Sequence, residues 1–379
     1  MYDLLIQQAT VIDPAQSLHA RKDVAFAGGR VAAVADGIEA AEAATVIDGR
    51  GKLLTAGWID LHVHVFDGVS HYGIAPDPHC IARGVTTAVD AGSAGADTFP
   101  GFRRYVIEAS ATRLFAQLNI SSQGMISQEM GELLDIRWAD VGKALKVIEA
   151  NRDVILGVKV RLERDRVCSE ESGLRPLQLA REAADAAGLP IMVHPQLAWA
   201  DSLDDILALM RKDDIVTHCF HGFPVCGILD EQGRVREAAR EAAARGMIFD
   251  VGHGRGSFDW RVAEAALAQG FWPQTISSDL HRYNVDGPVY DLATTASKFL
   301  QLGLPLDEVI ARVTAAPARV IRQPDLGTLR VGACGDATLL ELQSGEFALR
   351  DARGQARTGS QRLMPVGVVR AGQVYKADG

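Results

Sequence analysis

The chain has 379 residues, of which 47% are hydrophobic and 23% are charged, and its formal net charge is -9 at pH 7. This length suits one large domain or two ordinary ones, and the balance of residues is that of a globular protein, which excludes a disordered or fibrous chain. The acidic charge, together with the lack of a basic run, argues against nucleic acid or anionic lipid as a partner.

The cysteines are scattered and odd in number, and no two have the spacing C-x-x-C, which argues against a disulfide framework or a thiolate zinc site. They are Cys80, Cys168, Cys219, Cys226 and Cys334. The first residues carry no basic segment ahead of a long apolar stretch, and no window approaches 18 uninterrupted apolar residues. We therefore expect a cytoplasmic protein in a reducing compartment, with no signal peptide and no membrane partner.

Both ends of the chain have the pattern of short strands. In the first 54 residues the predicted strands are 4–6, 11–13, 23–27, 30–34, 45–48 and 53–54. Gly28 and Gly29 separate two of them and predict a hairpin. The tail has strand patterns at 336–342, 347–350 and 368–375. The simplest arrangement pairs the two ends, 1–54 and 325–379, in one small β-sandwich-like domain.

Between residues 55 and 324, apolar runs of five to seven residues alternate with helical patterns. The predicted strands are 59–65, 86–90, 114–120, 154–160, 190–194, 214–218, 247–251 and 274–279. The predicted helices are 141–151, 176–187, 203–211, 234–245, 261–269 and 290–302. Eight strands that alternate with helices indicate an α/β fold of parallel β/α units, and the span matches one (β/α)8 TIM barrel of about 250 residues.

His62 and His64 stand two residues apart at the end of the first predicted barrel strand. Side chains on a strand alternate between its faces, so both imidazoles point the same way and could share a cation at the barrel mouth. An H-x-H pair alone is weak evidence, because two polar residues on an exposed strand face would look the same. The apolar neighbours Leu61 and Val63 favour a buried polar pair that needs a partner.

Four other strand ends carry residues that can bind a metal. Lys159 lies in the apolar run 154–160, where desolvation lowers the pKa of a lysine and leaves a neutral amine that can react with carbon dioxide to form a carbamate. His194, His218 and Asp279 end the runs 190–194, 214–218 and 274–279. Taken singly, each has an ordinary structural explanation: a lysine that extends to the rim, a hydrogen-bonded core histidine, or a helix cap.

The coincidence of these residues is more informative than any one of them. The carboxyl ends of barrel strands converge on one mouth, which would bring six ligands from five strands together. Such a set, with the carbamate as a bridge, would hold two divalent cations, and zinc suits imidazole and carboxylate ligands.

The sequence resembles the amidohydrolase superfamily of binuclear metal hydrolases over nearly its whole length. The segments that carry the resemblance are GWIDLHVH (57–64), GVTT (84–87), GVK (157–159), VH (193–194), THCF (217–220), SSDLH (277–281) and TAAPA (314–318). The branch it looks most like is the amidohydrolase/deacetylase group, often labelled dihydroorotase-like. That likeness runs through DAGS (90–93), DVGHG (250–254) and GPVYDL (287–292).

The resemblance implies how the ligands divide between the two metals. His62, His64 and Asp279 would hold the first cation, His194 and His218 would hold the second, and carboxylated Lys159 would bridge them. His221, three residues after His218, is the one alternative ligand, and we prefer His218 because it terminates the apolar run.

Two departures from the family pattern argue against particular reactions of the superfamily. Dihydroorotases have an arginine two residues after H-x-H that binds the substrate carboxylate, whereas this chain has Phe66, which argues against dihydroorotase activity. Mononuclear deaminases have a glutamate shortly after the equivalent of His194 and lack the lysine; here Gln196 and Lys159 argue against deamination.

The expected reaction is hydrolysis of an ester or amide carbonyl by a hydroxide shared between the metals, with Asp279 as general base and then general acid. Polar residues after the strand ends would contact the substrate: Ser93, Arg161, His253 and Asn284, with Arg255 and Arg282 as further arginines able to bind a carboxylate.

The resemblance implies a small acylated substrate, either an acetyl ester of an α-hydroxy acid or an N-acyl amino acid. The alternatives are a cyclic amidase of the dihydroorotase or hydantoinase type and a catalytically inactive relative, and the sequence leaves a homo-oligomer open.

Overall fold

Two β-sheets organise the chain in the computed structural model, which describes residues 1–377. In chain order the strands are β1 (Tyr2–Asp13), β2 (Leu18–Ala27), β3 (Arg30–Ala35), β4 (Ala43–Asp48), β5 (Leu53–Ala56), β6 (Trp58–Val63), β7 (Val85–Gly95), β8 (Arg113–Asn119), β9 (Ile155–Arg161), β10 (Ile191–His194), β11 (Ile215–Val216), β12 (Ile248–Phe249), β13 (Ala337–Arg350), β14 (Ala356–Arg370) and β15 (Gln373–Tyr375). The α-helices are α1 (Pro76–His79), α2 (Phe99–Phe102), α3 (Val141–Ala150), α4 (Arg175–Ala187), α5 (Leu203–Ala208), α6 (Glu237–Ala244), α7 (Trp260–Ala268), α8 (Leu292–Gln301), α9 (Leu306–Val313) and α10 (Ala315–Val320).

Strands from both chain ends share the first sheet, whose order is β15-β14-β13-β5-β1-β2-β3, with β4 paired to β1. The long strand β1 is parallel to β4 over residues 2–7 and parallel to β5 over residues 10–12. The ends of the chain meet where β13 runs antiparallel to β5. Its eight strands are connected by hydrogen bonds into one sheet, and the β-sandwich-like packing expected from the sequence remains a prediction. The boundaries 1–54 and 325–379 remain a prediction.

The second sheet is parallel, with the order β6-β7-β8-β9-β10-β11-β12, so each strand neighbours the next in the chain. Residues 274–279 form no named strand, but this segment and the next residue, Leu280, bridge both edges of the sheet. Thr275 pairs with Asp250 after β12, and Leu280 pairs with Val63 at the end of β6. Backbone bonds from Asp279 N to His62 O (2.7 Å) and from His64 N to Leu280 O (2.9 Å) tie this segment to the first strand. The parallel sheet therefore curls back on itself.

Helix α4 illustrates why the helices cover this sheet. Its apolar residues Leu177, Ala180 and Ala184 recur with helical spacing, are fully buried, and form one face against the core. The helix ends at Gly188, as its sequence position predicts. Asp140, Asp259 and Asp291 cap α3, α7 and α8 by accepting a backbone N–H in the first turn.

The six predicted helices exist, each with ends that differ by a few residues from the prediction. Helices α9 and α10 were not predicted, nor were the four-residue helices α1 and α2. The tail strands 336–342 and 347–350 are one strand, β13, with an irregularity between Ser344 and Phe347. Predicted strands 214–218 and 247–251 are shorter in the structure, where they are the two-residue strands β11 and β12.

No helix among residues 1–377 combines the length and the apolar character needed to cross a bilayer.

Candidate metal centre

The residues predicted as metal ligands lie at one end of the parallel sheet, where the carboxyl ends of its strands converge. His62 lies near the end of β6, Lys159 near the end of β9, and His194 is the last residue of β10. His218 and Asp279 have positive φ angles of 62° and 50°. Such conformations are uncommon for residues with a side chain and occur often at functional sites, where the surrounding structure holds them.

Asp279 is the centre of the cluster. Its Oδ1 lies 3.2 Å from Nε2 of His62 and also 3.2 Å from Nε2 of His64. The ligand atoms of His62, His218 and Asp279 all lie within 4.8 Å of one another, which is the spacing of a group that could hold a metal ion.

The hydrogen bonds behind His62 and His64 determine which ring nitrogen faces the centre. Thr217 donates its hydroxyl hydrogen to Asp250 (2.9 Å), so its oxygen accepts a hydrogen bond from His62 Nδ1 (2.9 Å). Ser93 donates to Asp90 and accepts from His64 Nδ1 (2.9 Å) in the same way. Both rings therefore carry their proton on Nδ1 and present an unprotonated Nε2, the form in which histidine binds a metal.

His218 is oriented by the backbone. Its Nδ1 lies 2.7 Å from the carbonyl oxygen of Gly252, which can only accept, so this ring also carries its proton on Nδ1. Burial lowers the pKa of His218 to about 3 and holds the pKa values of His62, His64 and His194 well below their usual range. All four imidazoles are therefore neutral at pH 7 and can act as ligands.

His194 completes the group of histidines. Its ring centroid lies 4.5 Å from that of His218, and its buried Nε2 has no hydrogen-bond partner among residues 1–377. A buried polar atom without a partner costs folding free energy, and a ligand bound in the site would supply new polar contacts near His194. His221, the alternative to His218, is engaged at both nitrogens, by Cys226 O (3.0 Å) and Phe223 N (3.3 Å). The structure thus brings His218 and not His221 into the cluster.

Lys159 is 1% exposed, and its Nζ lies 3.5 Å from His62 Nε2 and 3.5 Å from Met192 Sδ. Burial lowers the pKa of this lysine to about 8, so about one tenth of it is neutral at pH 7, far more than for an ordinary lysine. It is a buried amine without an ion pair among the described residues, pointing at a cluster of imidazoles. These properties fit the amine from which a carbamate forms, and the donor set as a whole fits divalent cations.

These residues line a cavity of about 480 Å³, which is of a size to admit a small ligand. Besides the candidate ligands, its wall contains Tyr72, Gln128, Arg161, Glu163, Arg166, Gln196, Phe223, Arg255, Gly256, Ser257, His281 and Tyr283. The wall therefore combines charged groups with aromatic rings.

Of the predicted substrate contacts, Arg161 lies in this wall, and so does Arg255, one of the further arginines predicted to be able to bind a carboxylate. Ser93 stands behind His64, and Asn284 is fully buried with its amide donating to Asp279 O (2.7 Å). His253 is fully buried, with Nε2 2.7 Å from Lys298 Nζ. The structure assigns these three residues to the support of the site, because their polar atoms are already engaged by protein groups.

Several residues of the site escaped the sequence reasoning. Glu132 forms a buried ion pair with Arg161, and Asn119 Nδ2 donates to the same carboxylate (3.0 Å). Gln196, 5% exposed, lines the cavity with an amide nitrogen that has no partner among residues 1–377. Its position two residues after His194 was a usable signal, whereas Glu132 lies in a loop without a periodic pattern.

No model of a known protein family matches the chain. The chain is 36% identical over 377 residues to a deacetylase of Enterococcus faecalis, covering 99% of each. It is 38% identical over 337 residues to a deacetylase of Agrobacterium fabrum, covering 88% of this chain and 81% of that one. Two solved structures superpose over 99% of this chain: one described as an adenine deaminase, with a TM-score of 0.92 and 36% identity over its full length, and one described as a dihydroorotase, with a TM-score of 0.90 and 34% identity over 99% of it.

The chain belongs to the amidohydrolase superfamily. Identities above one third over nearly the whole chain confirm the resemblance that the sequence motifs indicated. This member of the amidohydrolase superfamily is an enzyme, a metal-dependent hydrolase with a cluster of histidine and aspartate side chains that could hold a metal.

Proposed function

We propose that this amidohydrolase is a deacetylase or esterase that cleaves the ester or amide carbonyl of a small acylated substrate bearing a carboxylate. The observation that carries the proposal is the group of His62, His64 and His218, whose unprotonated Nε2 atoms stand around Asp279 in one cavity. The relatives named deacetylase support the same reaction class, since they are 36% and 38% identical to this chain.

We infer that six residues hold two divalent cations, most simply Zn²⁺. They are His62, His64, His194, His218, Asp279 and Lys159 as its carbamate. Zinc is supported by the donor set of imidazole and carboxylate oxygens. The carbamate is supported by the burial of Lys159 and by its lowered pKa. When bound, such cations lower the pKa of a coordinated water and polarise a carbonyl group.

The chain's own residues would then handle protons and orientation. Asp279 can accept a proton at its carboxylate from the attacking water and pass it to the leaving group, since it lies in the cavity beside the histidines. The network of Thr217, Asp250 and Ser277, with Ser277 Oγ donating to Asp250 (2.6 Å), keeps His62 in one tautomer and one orientation. Such preorganisation is what a hydrolytic site requires.

The test is a hydrolysis screen on purified protein reconstituted with Zn²⁺, against N-acetyl amino acids, acetyl esters of α-hydroxy acids, dihydroorotate and hydantoins. The proposal expects turnover of an acylated carboxylate, and this turnover should fall by about two to four decades in Asp279→Asn. Turnover of the cyclic amides alone would instead establish the second candidate, a cyclic amidase. This candidate is supported by the solved structure described as a dihydroorotase, which is 34% identical to the chain.

We propose that residues 55–324 are a (β/α)8 barrel with 274–279 as its eighth strand, supported by the bridges on both sides of that segment. A cytoplasmic location is supported by the cysteines, all five of which are free thiols. We expect no nucleic acid or membrane partner, and the oligomeric state is left open.

A further inference from the structure

Three arginines line the candidate cavity, and two of them already have a carboxylate partner in the protein. Arg161 forms an ion pair with Glu132 and lies 3.2 Å from Glu163 Oε2, with its guanidinium 5.4 Å from the ring centre of Tyr72. Arg166 lies 3.9 Å from the other oxygen of Glu163. Because Arg161 is buried between two carboxylates, a substrate anion would have to compete with both of them.

Arg255 is the exception. It makes no hydrogen bond or ion pair with any group in residues 1–377, and its side chain is exposed in the cavity wall. An arginine keeps its charge and presents a planar set of donors that matches a carboxylate at two points. Arg255 is therefore a positive group in the site whose partner is not supplied by the described protein.

The backbone that carries Arg255 lies directly against the reacting groups. Gly254 N donates to Ser278 O (3.0 Å), and the preceding His253 N donates to Ser277 O (3.2 Å). Gly254 has a φ of 54°, and a Cβ at this position would lie 2.3 Å from Asp279 Oδ2. Glycine is required here because the loop passes so close to the Asp279 carboxylate, and the next residue is Arg255.

The loop that carries Arg255 is also stabilised by buried side chains. His253 is fully buried; its Nδ1 donates to Gly254 O (2.9 Å) and its Nε2 accepts from Lys298 Nζ (2.7 Å). Lys298 donates in addition to Pro288 O (2.9 Å). The base of the Arg255 side chain is thus preorganised while its guanidinium is free, which is the arrangement of a ligand-binding arginine.

We propose that Arg255 is the specificity-determining residue that binds the carboxylate of the acylated substrate, and that Arg161 serves to support the wall. This inference rests on the proposed function and adds to it the recognition of an anionic substrate. It favours Arg255 over Arg161 among the arginines that the sequence predicted to be able to bind a carboxylate, because the charge of Arg161 is already compensated.

The kinetic test compares a carboxylate substrate with its neutral carboxamide on the Zn²⁺-loaded wild-type enzyme and on Arg255→Gln. We expect kcat/KM for the carboxylate to fall about 10- to 100-fold in the variant, mainly through KM, since a charge-assisted hydrogen bond is lost. The carboxamide should change less than about threefold, an outcome that a merely structural role would not produce. Arg255→Lys, which keeps the charge without the planar fork, should recover part of the loss.

The matched control is Arg282→Gln. Arg282 is another exposed arginine, three residues after Asp279, and it is not part of the described cavity wall. The substitution Arg282→Gln removes the same charge from the same end of the barrel. It therefore distinguishes direct contact with the substrate carboxylate from long-range electrostatic attraction. A selective loss of the carboxylate substrate in Arg282→Gln as well as in Arg255→Gln, or an equal loss of both substrates in Arg255→Gln, would overturn the assignment.

A binding measurement keeps the inference separate from the proposed reaction. Calorimetric titration with 2-ethoxy-3-phenylpropanoate, which carries a carboxylate but no ester or amide bond to cleave, should show binding to the wild-type protein that weakens at least tenfold in Arg255→Gln. Equal affinity in the two proteins, or no binding to the wild type, would overturn the role of Arg255. Selective binding without hydrolysis of any acylated substrate would instead overturn the proposed function alone.

Discussion

Gly92 packs against the aliphatic stem of Lys159 so closely that a Cβ at position 92 would lie 2.6 Å from Lys159 Cγ. The glycine has a φ of 90° and its carbonyl accepts a hydrogen bond from Asn119 Nδ2 (3.0 Å). The position of the buried lysine in the cluster thus depends on a missing side chain on strand β7, which is separated from β9 by β8 in the sheet.

Replacing Gly92 with alanine should displace Lys159 and lower the amount of metal that the purified protein retains. The positive φ adds strain, which for a residue with a side chain costs about 1–2 kcal/mol. Gly188→Ala is the matched control, because Gly188 has a φ of 69° but a Cβ there would meet nothing within 4 Å. Metal analysis should show a loss in Gly92→Ala only; equal metal content in the two variants would contradict the packing argument.

Lys159→Ala should lose most of the bound metal and most of the activity, because the proposed bridge between the two cations disappears. Small carboxylates such as formate or acetate, added at high concentration, should restore part of both. Metal per chain and turnover are measured together on the same preparation. Two metals per chain retained after the substitution would show that Lys159 is not a bridge.

Asp279→Asn keeps an oxygen near the histidines but removes the basic site. We expect turnover to fall by about two to four decades, which is the usual effect of losing a general acid–base group. Metal content should fall far less than in Lys159→Ala, because the four histidines and the lysine remain. Near-normal turnover with metal retained would mean that another group moves the proton, and His281, which lines the cavity, would be the one to examine.

Dihydroorotate should be a poor substrate. The position two residues after His64 is Phe66, a buried residue whose ring packs on Phe102 with centroids 4.8 Å apart. A carboxylate that loses a buried charged partner loses a few kcal/mol, which corresponds to about a hundredfold or more in efficiency. A kcat/KM for dihydroorotate of about 10⁴ M⁻¹s⁻¹ or higher would contradict this expectation.

The buried Lys298 should make stability depend on pH. Burial lowers its pKa to about 7, whereas the unfolded chain has the usual value near 10.4. Between these two values the unfolded state binds more protons, so the contribution of Lys298 to the free energy of unfolding rises with pH. Relative to Lys298→Met, the wild type should gain up to about 1.4 kcal/mol per pH unit between pH 7 and 10.

Chemical denaturation at pH 7, 8 and 9 measures this difference directly. The exposed Lys146, replaced by methionine, provides the control for removing one lysine charge from the surface. A free-energy difference between the wild type and Lys298→Met that does not change with pH would show that Lys298 keeps an ordinary pKa in the folded protein.

Sequence patterns were sufficient to predict which residues gather at the candidate centre and the class of fold that gathers them. His62, Lys159, His194, His218 and Asp279 could be recognised because each follows an apolar run at a strand end, and parallel strands bring those ends to one edge. Local patterns also predicted helices such as α4, whose buried face recurs with the helical period.

The role of each polar residue near the centre depends on contacts that form only in the folded chain. In the sequence, Ser93 and His253 follow predicted strand ends just as Arg255 does, yet the first two are engaged by His64 and Lys298 while Arg255 has no partner among residues 1–377. Arg161 is compensated by Glu132, which lies 29 residues away in the chain. Such pairings depend on how distant loops meet in space, and that is decided by the packing of the whole chain rather than by any local period or spacing.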